Sequence, residues 1–408
     1  MPSDYISPKV ASAQCGGALP RLLYLGNVPV EHTVAGSTLL FRNLQTYPTG
    51  KLLVCEMGEA SRPDRRLPGV AYVNIPLGAQ RLAHTRLVAL SSLWRQASAR
   101  ILVQKAIQAA AGFKPEAVLT VAHGWSWYTA SLVAQALGMP LHLIVHDHPP
   151  EVCDLPKGLQ FWTERRFRRV YRTAMSRLCI SPWMERFYRE QYGVSGTWLY
   201  PSRAADAPIY DQLPEPRIGE TFTLGFAGTI TDGYAQALRK AAAALDLIGG
   251  KILIYSPQNE KSISRLALRL PNIQIEPVVP YRHLLEEFRQ KTDVLFLPLS
   301  FRSEERVRMI TSFQSKLADY SLTGLPILIY GPAYASAVQW ARENPLSVEL
   351  VDCENGEALT EAVVRLCQDS SLRARLGENS LQRGQEYFSH AATTRNFLSS
   401  LQAEPGSN

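Results

Sequence analysis

From residue 21 onward, short apolar runs alternate with stretches whose apolar residues recur at helical spacing. Runs over 21–29, 51–57, 70–77, 117–123, 141–147 and 177–181 predict strands, and 34–46, 85–111, 125–137, 159–176 and 183–191 predict the helices between them. Such alternation builds a mostly parallel sheet covered by helices on both faces. The rhythm stops at 200–220, where Pro201, Pro208, Pro214 and Pro216 stand among polar residues, the composition of a linker. A second series follows. Its predicted strands are 223–230, 251–256, 273–279, 293–299, 327–330 and 347–352, with helices at 234–246, 260–269, 281–290, 315–323, 333–343 and 356–368. The closing helical segments 373–388 and 390–402 have no strand to alternate with and are expected to pack back over the junction.

The chain has 408 residues, more than one hydrophobic core usually serves. The expected class is therefore α/β, with two doubly wound Rossmann-like domains facing a central cleft: 1–199, a linker at 200–220, 221–385, and a terminal helix with its tail at 386–408. Open sheets of this kind bind ligands beyond the carboxyl ends of their strands.

One stretch carries chemistry: Phe313-Gln-Ser-Lys-Leu-Ala-Asp-Tyr-Ser-Leu-Thr-Gly-Leu-Pro-Ile-Leu-Ile-Tyr-Gly331. Ser315 is expected to cap a helix, Lys316 and Asp319 share its face at i and i+3, and Gly324 stops it before Pro326 and a buried strand. A helix start presents unpaired N–H groups and partial positive charge to an anion, and an acid one turn on can accept hydrogen bonds from a diol. The same pair also reads as a solvated surface ion pair, which contributes little.

Hydrophobic residues make up 46% of the chain, enough to pack two cores, and the net charge of +7 favours anionic partners such as nucleotide diphosphates or acidic headgroups. The cysteines, Cys15, Cys55, Cys153, Cys179, Cys353 and Cys367, show no C-x-x-C pair and no metal-ligand spacing, so reduced thiols and a cytoplasmic setting are expected. Neither a signal peptide nor a membrane-spanning run is predicted. Arg165, Arg166, Arg168, Arg169, Arg172 and Arg177 fall in a helical stretch with Phe161, Trp162, Phe167 and Tyr171 interleaved. That pattern fits either a solvated helix with its aromatics in the core or a surface resting on anionic lipid, and the basic segment 82–100 shares the ambiguity. No nucleic-acid module accompanies it. His123 and His146 each close a predicted strand where a cleft would open, suited either to hydrogen-bond a ligand hydroxyl or move a proton, or simply to satisfy loop backbone groups. Gly36, before a helix, either allows close backbone approach to a phosphate or is merely structural.

This layout, from Leu22 to about Leu401, resembles the GT-B architecture of glycosyltransferases, and the Gly-x-Pro helix is similar to the nucleotide-sugar motif of the family 4 type. That family carries two glutamates separated by seven residues. Counted from Gly324, the second position is Asp319, a shorter acid, and the first is Thr311, which is uncharged. The family also places an arginine and a lysine after the first strand of the second domain. Here Phe226-Ala227-Gly228-Thr229-Ile230-Thr231-Asp232-Gly233 has none before Arg239 and Lys240.

The resemblance implies transfer of a hexosyl unit from a nucleoside diphosphate sugar to a glycan or lipid-linked acceptor, with retention, in surface-polysaccharide assembly at the cytoplasmic side of a membrane. His123 and Lys316 would be catalytic. Gly36, Gly228, Thr229, Arg306, Arg308, Ser315, Lys316 and Asp319 would hold the donor, and no metal or separate cofactor is implied. The rival readings are a non-catalytic nucleotide-sugar-binding or scaffold subunit and a sugar epimerase. A nicotinamide dehydrogenase is disfavoured, since no G-x-G-x-x-G follows a strand.

Overall fold

The computed structural model describes residues 18–32, 35–58, 60–76, 98–152 and 157–402. Cys15, Cys153, Val34 and residues 82–97 of the basic segment lie outside them. The first sheet comprises β1 (Leu22–Gly26), β2 (Leu52–Met57), β3 (Ala71–Ile75), β4 (Ala117–Val121), β5 (Leu141–Val145), β6 (Ser176–Cys179) and β7 (Thr197–Trp198). The second comprises β8 (Thr223–Ala227), β9 (Lys251–Tyr255), β10 (Ile273–Glu276), β11 (Val294–Pro298), β12 (Ile327–Tyr330) and β13 (Glu349–Val351). Strand orders are β3-β2-β1-β4-β5-β6-β7 and β10-β9-β8-β11-β12-β13, with parallel neighbours throughout.

Helices cover both faces, so central strands such as β1, β4 and β11 are buried along their whole length, while the edge strands β3 and β10 stay partly exposed. Chain direction across the sheet reverses between β1 and β4, and again between β8 and β11. Loops leaving each such pair diverge to opposite faces and open a crevice. Two elements fall outside the predicted series: β7 continues the first sheet, and a short helix runs over Arg306–Thr311.

The lobes meet on an aromatic seam. Trp183 stacks on Phe313 with centroids 6.2 Å apart and planes within 5°, and Phe313 also contacts Tyr200 and Phe388. Arg203 crosses just behind, buried, donating from Nε to Ala318 O (3.0 Å), from Nη2 to Ser321 Oγ (3.0 Å) and from Nη1 to Gln385 Oε1 (3.2 Å). Position 384 must be glycine for this, since a Cβ there would lie 2.1 Å from Arg203 Nη2. Burial lowers the Arg203 pKa to about 10, so it remains charged at neutral pH. After the helix Ser370–Phe388, the last helix, His390–Leu401, returns to the first lobe, where Phe397 and Leu401 pack with Leu22 and Leu40. No helix among the described residues is long and apolar enough to cross a membrane. Cys55 and Cys179 are buried free thiols, Cys367 is a partly buried one and Cys353 is exposed.

Candidate functional site

Between the lobes lies a cleft of about 570 Å³. Its first-lobe wall includes Gly36, Leu39, His146 and Asp147, and its second-lobe wall includes the turn after β8 and the helix Ser315–Tyr320. That helix begins at Ser315 itself. Gln314 occupies the capping position without a side-chain cap, because its Oε1 accepts from Tyr234 Oη at 3.1 Å. Ser315 therefore sits in the first turn and lines the cleft rather than capping. The helix also ends sooner than its sequence spacing implies, at Tyr320, and a turn carries the chain to Gly324 at φ 72°.

The turn after β8 is held by two side chains, Tyr320 and Gln258. Ala227 N donates to Tyr320 Oη (2.9 Å), Ile230 N donates to Gln258 Oε1 (2.8 Å), and Gln258 Nε2 donates back to Ile230 O (2.9 Å). Gly228, at φ 123°, adopts backbone that side chains rarely tolerate, and a Cβ there would stand 2.7 Å from Lys316 Cε and 3.0 Å from Nζ. Lys316 thus runs directly against the turn in which the related motif would carry its own cations. Its ammonium lies 5.4 Å from the Phe226 ring centre and 5.7 Å from that of Tyr234. Burial pulls its pKa down to about 8, with Asp319 opposing that shift.

Asp319 stands at the meeting of both lobes. Its Oδ1 accepts from Tyr281 Oη at 2.8 Å and lies 3.6 Å from Nη1 of Arg42, which comes from the helix Ala35–Leu44 of the first lobe. Arg42 also sits over the Tyr281 ring (5.3 Å) and donates to Ser202 O. A second bridge joins Ser312 Oγ to Asp147 Oδ1 at 3.1 Å. Beside it, burial pushes the His146 imidazole down to about 4, an effect that Asp147 opposes and nearby His123 reinforces.

Seven of the nine residues given catalytic or donor-binding roles from sequence line this one cleft: Gly36, Gly228, Thr229, Arg308, Ser315, Lys316 and Asp319. Two do not. Arg306 is exposed on the opposite side of its helix from Arg308, two residues on, with its guanidinium 4.0 Å from the Tyr334 ring centre. His123 is exposed beyond β4, where Gly124 turns the chain against Asn27 and Ser126 Oγ donates to Asn27 Oδ1 at 2.6 Å. Its counterpart His146 lines the cavity. Thr311 is buried and donates to Val307 O (2.9 Å) within its own helix. Sequence reasoning missed Arg42, Tyr281 and the Asp147–Ser312 bridge, all of which depend on contacts between distant segments.

The second-lobe wall thus supplies two cations, the partly buried Lys316 and the exposed Arg308, together with the carboxylate of Asp319. Val278, Val279 and Leu284 form an apolar wall that suits a flat ring.

No protein-family model matches the chain, and no curated protein matches it. Solved structures do. HepE from Anabaena, crystallised with UDP and glucose, aligns over 94% of this chain and 100% of its own at 12% identity and a TM-score of 0.64. Sucrose-phosphate synthase from Thermosynechococcus elongatus aligns over 93% and 98% at 14% identity and 0.67. The UDP-forming α,α-trehalose-phosphate synthase from Burkholderia vietnamiensis aligns over 94% and 99% at 13% identity and 0.64. At such identities the likeness establishes the fold: this chain has the two-domain α/β GT-B architecture.

Proposed function

We propose that the protein is a glycosyltransferase that moves a hexosyl unit from a nucleoside diphosphate sugar to a glycan or lipid-linked acceptor, working at the cytoplasmic face of a membrane. The observation that carries this reading is the placement of Lys316, Arg308 and Asp319 around one inter-lobe cavity with glycines on both walls. Lys316 and Arg308 are the groups to meet the diphosphate, and Asp319 is the ribose acceptor, through the oxygen Oδ2 that Tyr281 leaves open. The apolar wall at Val278 and Val279 would seat the base. As the glycosidic bond breaks, negative charge gathers on the departing diphosphate, and a preplaced ammonium in a partly dehydrated pocket stabilises that charge more than it stabilises the ground state. His146 is better placed than His123 to address the sugar, since it lines the cavity. Retention of anomeric configuration is the outcome that the family resemblance implies. The nucleotides named with the neighbouring structures make UDP-sugars the first donors to try.

A specific observation favours a second reading, a non-catalytic nucleotide-sugar-binding subunit. Where the related motif has its first glutamate, Thr311 is buried and turned into its own helix. Calorimetric titration with UDP-, GDP- and dTDP-hexoses, run beside a donor-hydrolysis assay, separates the two. Binding with turnover supports the transferase, and binding without turnover under any acceptor supports the subunit. If none of the nucleotide sugars binds, both readings are wrong.

A further inference from the structure

We infer that the outward face of the helix Gln160–Thr173 is a docking surface for an anionic lipid bilayer. The helix buries Thr163, Phe167, Val170 and Tyr171. At about 100° per residue, Phe161, Arg165, Arg168 and Arg172 project from the opposite side, and all four are exposed. The interleaved aromatics thus divide: Phe167 and Tyr171 belong to the core, whereas Phe161 and Trp162 are 55% and 47% exposed, their ring centres 4.7 Å apart. A helix that used its aromatics only for packing would not leave this pair in water.

The helix has one acid, Glu164, and both of its oxygens are engaged by other segments. Its Oε1 accepts from Tyr192 Oη at 2.6 Å and its Oε2 lies 3.5 Å from His148 Nε2. The outward face therefore presents guanidiniums beside two aromatic rings, the pairing that suits acidic headgroups and the interfacial layer beneath them. Single-stranded nucleic acid fits less well, because the face is a convex helix rather than a groove and its two rings lie against each other instead of leaving room for bases.

Position adds a purpose. The helix belongs to the first lobe, downstream of β5 and the cleft-lining His146 and Asp147, so docking on this face would hold that lobe at the membrane surface. The surface deepens the proposed reading by matching it to a lipid-linked acceptor, but binding to lipid can be tested apart from that reading.

The test is co-sedimentation of the full chain with phosphatidylcholine vesicles, with and without phosphatidylglycerol, beside titration with a single-stranded RNA oligomer. Wild type is expected to partition at least about tenfold more strongly onto the anionic vesicles. Both Phe161→Ser/Trp162→Ser and Arg165→Gln/Arg168→Gln/Arg172→Gln should lose about tenfold or more of that affinity, with unchanged melting curves and unchanged nucleotide-sugar binding. Wild type that ignores phosphatidylglycerol, either variant partitioning like wild type, or tighter binding to RNA than to vesicles would overturn the inference. Vesicle binding by a protein that takes no nucleotide sugar would uphold it while refuting the transferase reading.

Discussion

Lys316 offers the sharpest test of the cleft chemistry, because burial brings its ammonium from an ordinary 10.5 to about 8, within reach of ordinary buffers. That fall corresponds to about 3 kcal/mol of disfavoured charge, an upper figure since the side chain keeps some contact with water in the cleft. A diphosphate would interact with the charged form. About nine-tenths of the lysine is protonated near pH 7 and about one-tenth near pH 9, so affinity for a nucleoside diphosphate should fall about tenfold between them. Isothermal titration across this range, in two buffers of different ionisation enthalpy, reads both the affinity and the proton taken up on binding. Lys316→Arg, whose guanidinium stays charged, should flatten the profile, and Lys316→Met should bind weakly at every pH.

Stability moves the other way. Below about pH 8 the ammonium is charged both folded and unfolded, and the folded chain bears the desolvation cost. From about 8 to 10.5 the folded form has released its proton while the unfolded form has not, so the cost disappears as pH rises. Lys316→Met should therefore exceed wild type in stability below pH 8 by up to about 3 kcal/mol and lose that advantage above it. A wild-type binding profile that stays level from pH 7 to 9, or an arginine variant that tracks it, would refute the reasoning.

Other consequences follow from the same geometry. Gly228→Ala should cost about 1–3 kcal/mol in backbone strain and push Lys316 aside, seen as a lower Tm and weaker nucleotide binding; wild-type affinity in this variant would mean that the contact is unimportant. In a double-mutant cycle on nucleotide affinity, Arg42→Gln and Asp319→Asn should be coupled by about 1 kcal/mol or more, and strict additivity would deny that the inter-lobe pair presents the carboxylate. Burial holds His142 and His148 near 4 rather than 6.5, so the unfolded chain gains protons first as pH falls. Stability should then be full above about 6.5 and decline towards 4, by up to about 3 kcal/mol for each histidine. Urea midpoints at about pH 7 and about pH 4.5 measure this, and the drop should shrink in His148→Gln.

Much of the architecture was present in the sequence alone. Alternating strand and helix periodicities are local properties of the chain, and with the proline-rich break they imply two doubly wound sheets without knowledge of any contact. The Gly-x-Pro helix was legible for the same reason, since the spacing of Lys316 and Asp319 determines that they share a face wherever the helix lies. Tertiary structure alone decided what that face meets. Arg42 and Tyr281 reach Asp319 from segments remote in the chain, and Ser312 finds Asp147 only because the lobes close on each other. It also separated His146 from His123, which end neighbouring strands in like fashion, and it turned Phe161 and Trp162 outward while burying Phe167 and Tyr171. Periodicity reports on which side of an element a residue stands. Which surface that side then faces depends on burial and charge contributed by the rest of the chain, and those quantities exist only once it has folded.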